Sequence, residues 1–284
     1  MQKIALITDS SCDLDLKTRE ENNINMFPFR IIYKDKEFLD KITITSEELY
    51  DSLEKEVPTT SLPDLNYSND LIHKLKEEGY TDAIVITISS KVSGTFNSLK
   101  LLGEEHDEID FHFFDSKTIG FPVGALTLQV SKLVNSGLQL DEIMDKIEGL
   151  RKRVHGYVTF STLEFLKKGG RIGRVAGTIG EMLHVKPIIS SDEEGSLHSY
   201  KRCRGRKQSI ANLKSITKEY LQKGKCRVWI LNGASDDEAT ALFNEIKTYE
   251  NVTDISLETI GASMGVHTGP GAIGVCIFEE EYGA

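Results

Sequence analysis

The chain has 284 residues, of which 39% are hydrophobic, and a formal net charge of −10. That length supports a full core and one or two domains, while the acidic balance excludes general nucleic-acid binding, which needs a basic footprint. No apolar run approaches the roughly 18 residues of a membrane span, the apolar stretch near Met1 is too short for a secretory signal, and Cys12, Cys203, Cys226 and Cys276 form no C-x-x-C pair, so a reduced, cytoplasmic protein without a metal site is expected.

Residues 3–8 form a short apolar run that ends at Asp9-Ser10-Ser11, the pattern of a buried strand. Residues 14–22 are polar and predict a helix. Residues 25–33 predict a second strand, which Pro28 pushes toward a sheet edge. Thr45-Ser46-Glu47-Glu48 fits a capping box that opens a helix over residues 47–54. Residues 65–78 predict a helix closed by Gly79. Residues 82–88 are an unbroken apolar strand of the central, parallel kind, followed by a helix over 96–102 and a strand over 111–114. Residues 120–124 read as a loop, and helices are expected over 126–134 and 140–151. This β-α-β-α alternation implies a parallel α/β unit.

From about Arg153 the texture changes. Strands are expected over 157–160, 187–191, 197–201, 227–232, 255–260 and 272–278, with helices over 208–221 and 236–248. Neighbouring strands now follow one another, with a hairpin-like turn at Glu193-Glu194-Gly195. The expectation is an α/β protein of two domains: an N-terminal parallel-sheet α/β domain over residues 1–152 and a C-terminal α+β domain over 153–284. No low-complexity linker marks the border, so the two should pack together.

Three hydroxyl- and glycine-rich segments are read as loops beside regular elements: Pro58-Thr59-Thr60-Ser61, Ser89 through Thr95, and Gly265 through Gly271, which holds His267. Ser93, Gly94 and Thr95 precede a helix, where hydroxyls and backbone N–H groups favour an anion, although an ordinary helix cap has the same look. Prolines 58 and 63 stiffen the Thr60 segment. Glycines around His267 allow close approach of a ligand, and the imidazole can serve as an acid, a base or a donor. Asp9-Ser10-Ser11-Cys12-Asp13, at the end of the first strand, lies where α/β sheets place ligands, and is also what a turn and helix cap require. Together the segments offer neutral donors to one small anionic group, with no P-loop lysine. Two basic clusters stand out: Lys167, Lys168, Arg171 and Arg174, then Lys201, Arg202, Arg204, Arg206 and Lys207. Clustered arginine suits phosphate or carboxylate, and equally a solvated surface.

These motifs, in this order, resemble the DegV family over essentially the whole chain. The resemblance rests on Thr8-Asp9-Ser10-Ser11, Thr59-Thr60-Ser61, Ser89-Ser90 through Ser93-Gly94-Thr95, Phe114-Asp115-Ser116-Lys117, Leu166-Lys167-Lys168-Gly169-Gly170-Arg171, Lys186-Pro187-Ile188 and His267-Thr268-Gly269-Pro270-Gly271. It implies two domains with a long-chain fatty acid in a buried tunnel between them, and no cofactor. Thr60, Ser61, Ser93, Gly94 and His267 would hold the carboxylate, and Arg171 and Arg202 would form a basic surface. That surface would meet the catalytic subunit of a fatty acid kinase, to which the chain, without catalytic machinery of its own, presents the carboxyl group for conversion to acyl phosphate in phospholipid metabolism. A transient contact with the membrane surface goes with such a role. Leu62 and Asp64 depart from the family's usual Thr-Ser-Gln-Pro-Ser. The alternative is an acyl or phosphoryl hydrolase with Ser93 as nucleophile and His267 as base, against which stand the absence of a G-x-S-x-G elbow around Ser93 and the lack of an acidic partner for the histidine.

Overall fold

The computed structural model describes residues 2–173, 175–176 and 185–280. Its first sheet is parallel. Strands β1 (Ile4–Asp9), β2 (Ile24–Phe27), β6 (Asp82–Thr87) and β7 (Asp110–Asp115) lie in the order β2-β1-β6-β7. The central strands alternate between two apolar layers because successive side chains point to opposite faces. Ala5, Ile7, Ala83 and Val85 pack on Ile72, Leu75, Leu99 and Leu102 from helices Leu65–Glu77 and Thr95–Glu104. Leu6, Ile84 and Ile86 face the helix Phe121–Asn135 on the other side.

A small antiparallel sheet follows the order β4-β3-β5, with β3 at Phe29–Ile32, β4 at Glu37–Leu39 and β5 at Thr59–Pro63. The single strand expected over 25–33 is therefore two. Pro28 has no N–H to give a ladder, and there the chain leaves the edge of the parallel sheet and enters the antiparallel one. The Thr60 segment, expected as a loop, is strand β5. Its β-branched threonines sit in register with Ile32 and Ile31, and the free edge of β3 supplies the hydrogen bonds that a loop would have lacked.

The C-terminal sheet is mixed, in the order β10-β9-β8-β13-β11-β12. Its strands are β8 (Val154–Thr159), β9 (Ile188–Ser191), β10 (Leu197–Lys201), β11 (Cys226–Gly233), β12 (Val252–Thr259) and β13 (Ala272–Glu279), and β11–β12 is its parallel pair. Val228, Ile230, Ile273, Val275 and Ile277 bury themselves under Leu213, Ile216, Leu242 and Ile246 of helices Arg206–Leu221 and Asp236–Ile246. The opposite face carries Trp229, Leu231, Cys276 and Phe278 and joins the core of the parallel sheet.

The helix Phe121–Asn135 lies between the two sheets, and every residue from Phe121 to Ser131 is buried. A helix apolar all round needs partners all round. Phe121 meets Trp229 of the far sheet at a ring-centroid distance of 5.5 Å. The loop expected over 120–124 is the first turn of this helix. Gly124 is there for space: a Cβ would run into the Cys12 carbonyl oxygen and lie 2.9 Å from Leu14 Cγ.

Candidate functional site

The carboxyl ends of β1 and β6 point toward the face of the C-terminal sheet made by β8 and β9. Crevices beyond the carboxyl ends of parallel strands are where α/β folds place ligands. Here lies a cleft that is open in part to solvent. Its walls are mostly apolar, with Phe29, Ile88, Phe121, Phe160, Leu166 and Met264 among them. Thr60, Ser93, Arg171 and His267 also line it.

His267 sits in the last turn of the short helix Ala262–Thr268, which ends at Gly269 with φ +65. The sequence places this histidine in a glycine-rich loop. Instead Gly269 terminates a helix, adopting a left-handed conformation that costs glycine little. A Cβ at Gly269 would also collide with the Phe165 ring. The histidine Nε2 lies 2.8 Å from Thr60 Oγ1, joining residues 207 apart in sequence. Burial, and after it the nearby Arg171 guanidinium, pulls the imidazole pKa from 6.5 down to about 4. The ring is therefore neutral at pH 7. Its Nδ1 is buried and has no hydrogen-bond partner among the described residues.

The two hydroxyl neighbours in β5 part company. Successive strand residues face opposite ways, so Thr60 lines the cleft while Ser61 Oγ accepts a 3.1 Å hydrogen bond from Arg30 Nη2. Ser93 lines the cleft too. Its Oγ is 2.7 Å from Thr95 Oγ1 and accepts at 3.3 Å from the N–H of Thr95, the first residue of the helix Thr95–Glu104. Gly94 is the N-cap position of that helix. A Cβ on Gly94 would lie 3.6 Å from Leu62 Cδ2, which sets the Ser93 loop beside β5. Gly94 itself is not among the cleft-lining residues.

Arg171 is exposed at the cleft and donates from Nη1 to the Gly169 carbonyl at 2.7 Å. Arg202 is exposed away from the cleft lining. Elsewhere in the clusters, Lys168 pairs with Glu164 at 2.7 Å and Arg206 forks onto Glu238. Arg174 lies outside the described residues.

The Asp9 segment serves the scaffold. Asp9 Oδ1 accepts from Ser11, its Oδ2 accepts from Ile88 N–H at 2.8 Å, and burial raises its pKa to about 6. Asp13 lines the cleft, accepts from Gly261 N–H at 2.8 Å, and is raised by burial to about 7. The apolar liners carried no sequence signal of their own, because Phe29 or Leu166 reads like any core residue. Among the described residues no cluster of three or more His, Cys, Asp or Glu side chains is arranged for a metal ion.

Comparison with known proteins places this architecture. The chain is 46% identical over 280 residues to a DegV domain-containing protein of Clostridium perfringens, covering 99% of this chain and all of that one. Among solved structures it is similar to DegV from Bacillus subtilis, described as a fatty acid binding protein, with a TM-score of 0.90 and 28% identity over 99% of this chain and 100% of that one. A stearic acid-binding protein from Eubacterium ventriosum superposes with a TM-score of 0.87 at 27% identity, covering 99% of each chain. The family model described as "uncharacterised protein, DegV family" matches residues 3–280, and with a parallel N-terminal sheet, a mixed C-terminal sheet and a cleft between them, the chain belongs to the DegV family.

Proposed function

We propose that the cleft binds a long-chain fatty acid with its carboxylate at Thr60, Ser93 and His267, and that the protein presents this head group to a partner kinase. The observation that carries the reading is the Thr60–His267 pair set in a cleft whose walls are mostly apolar. The fatty-acid-binding descriptions of similar structures support it. A carboxylate taken out of water needs donors, each contributing roughly 1.5–3 kcal/mol. A dozen buried methylenes would add on the order of 10 kcal/mol before ordering costs. The tail thus supplies most of the affinity and the head sets orientation.

In this reading the ligand lies between two domains that divide at residues 152 and 153, where the chain leaves the helix Leu140–Arg151 for β8. Arg171 stands at the cleft and Arg202 on the outer surface, so a kinase docking there would meet positive charge. The four cysteines are free and buried, in keeping with a cytoplasmic setting. No described helix is long and apolar enough to cross a membrane.

A hydrolase built on Ser93 and His267 finds little support. Ser93 Oγ engages Thr95 and His267 Nε2 engages Thr60. Among the described residues the other imidazole nitrogen meets no carboxylate, the partner a triad requires. The test is organic extraction of the purified protein followed by mass spectrometry. A long-chain fatty acid is expected. Its absence, together with no binding of added palmitate or oleate, overturns the reading.

A further inference from the structure

His267 has two ring nitrogens in unlike settings, and the difference has a local cause. Nε2 faces Thr60 Oγ1 at 2.8 Å. Nδ1 is buried without a partner among the described residues, against the backbone of Gly169. A Cβ on Gly169 would collide with Nδ1 and stand 2.8 Å from Cε1. Gly169 has φ −76, a conformation open to every residue, so what this position requires is the missing Cβ and not backbone freedom.

We propose that Gly169 is a positioning residue: by closing off the Nδ1 edge of His267 it fixes the Nε2–H tautomer, turns the Thr60 hydroxyl hydrogen toward the cleft, and makes the head-group site a donor that takes a carboxylate. The inference rests on the fatty-acid reading and adds the direction of its hydrogen bonds. A neutral imidazole carries one proton. On Nδ1 it would be a donor buried with nothing to receive it, and orphaned N–H groups are rarer than under-used acceptors. On Nε2 it has Thr60 Oγ1 as acceptor. A hydroxyl that accepts from the imidazole donates its own hydrogen elsewhere, and Thr60 lines the cleft. The chain of donation then runs from His267 through Thr60 to the ligand, with Thr60 touching the carboxylate and His267 acting through it. A fatty amine of equal length would bring donors to a donor.

Two measurements test this. Nitrogen-15 spectra of His267 in the intact, delipidated protein should show a protonated Nε2 and a bare Nδ1. Calorimetric titration with palmitate should then rank two variants. Glutamine places its amide nitrogen where Nε2 stands and asparagine places its own near Nδ1, so His267→Gln should bind about tenfold more tightly than His267→Asn, the scale of one hydrogen bond. Gly169→Ala should displace the ring, alter its nitrogen shifts and weaken palmitate, while hexadecylamine, which shares the tail and lacks the acceptor, should compete at least about tenfold more weakly than palmitate in the wild type. A protonated Nδ1, or an asparagine variant equal to or better than the glutamine variant, overturns the inference. Wild-type protein that binds no palmitate overturns the fatty-acid reading instead, and the nitrogen spectrum then decides the tautomer by itself.

Discussion

At the scale of single residues, the proposed head-group site rests on Thr60, Ser93 and His267, which line the cleft. Thr60→Val keeps the shape of the side chain and removes its hydroxyl. It should weaken palmitate by about 1.5–3 kcal/mol, read by calorimetric titration. Ser61→Ala, on the opposite face of β5, should change that affinity little, and an equal loss in both variants would place Ser61 in the cleft. His267 also leaves a mark on stability. Its pKa falls from 6.5 to about 4 on folding, so below about pH 6.5 the unfolded chain takes up a proton that the native ring refuses. The stability it contributes is present above pH 6.5 and is lost as pH falls toward 4, about 2 kcal/mol of it between pH 7 and pH 5. Asp9 and Asp13 work the other way, because folding raises them from 3.8 to about 6 and about 7. Their contribution is complete below pH 3.8 and disappears as pH rises through those values. Urea denaturation of wild type and His267→Gln at both pH values isolates the histidine, since the carboxyl contributions cancel in the difference. A glutamine variant with the same pH slope as wild type would show that the ring titrates normally.

At the scale of elements, the helix Phe121–Asn135 is the most constrained piece. Alanine is ordinarily worth about 1 kcal/mol over glycine inside a helix. At Gly124 the collision with the Cys12 carbonyl and the contact with Leu14 Cγ should outweigh that gain. Gly124→Ala is expected to destabilise by about 1–3 kcal/mol, read as a lower urea midpoint, and a stabilised variant would mean that the helix is free to move away. Capping offers the contrast. Thr45 and Glu48 exchange both bonds of a capping box at the start of the helix Ser46–Ser52. Thr45→Ala should cost about 1 kcal/mol and leave palmitate binding alone, because Thr45 is not among the cleft-lining residues.

At the scale of the whole molecule, a ligand between two sheets links binding to folding. Fatty acid at a hundredfold excess over its dissociation constant should stabilise the protein by about 2.7 kcal/mol. The melting temperature should therefore rise by several degrees when delipidated protein is reloaded, and an unchanged melting curve would argue against binding in the cleft. The surface can be tested separately. Arg202 is exposed and off the cleft lining. If a kinase docks there as proposed, Arg202→Glu should slow its formation of acyl phosphate, most clearly at low salt where screening is weak, with palmitate affinity retained. Normal turnover would make Arg202 ordinary surface charge.

Local periodicity and capping made much of the fold legible in the sequence. The apolar run within residues 82–88 marked the central strand, Thr45-Ser46-Glu47-Glu48 marked a helix start, and residues 140–151 and 197–201 matched elements observed at the same bounds. Such signals are written within a few residues, so they survive without tertiary context. What failed depended on distant neighbours. Strand β5 exists because β3 offers an edge, and the helix start at Phe121–Gly124 exists because the Cys12 backbone and the far sheet pack around it. The hydroxyl segments and His267 drew attention by composition, but only the tertiary structure decided that Thr60 and not Ser61 meets the imidazole, and that Gly169 covers its other edge. Those are choices of strand face and of contacts between residues far apart in sequence, and no local pattern encodes them.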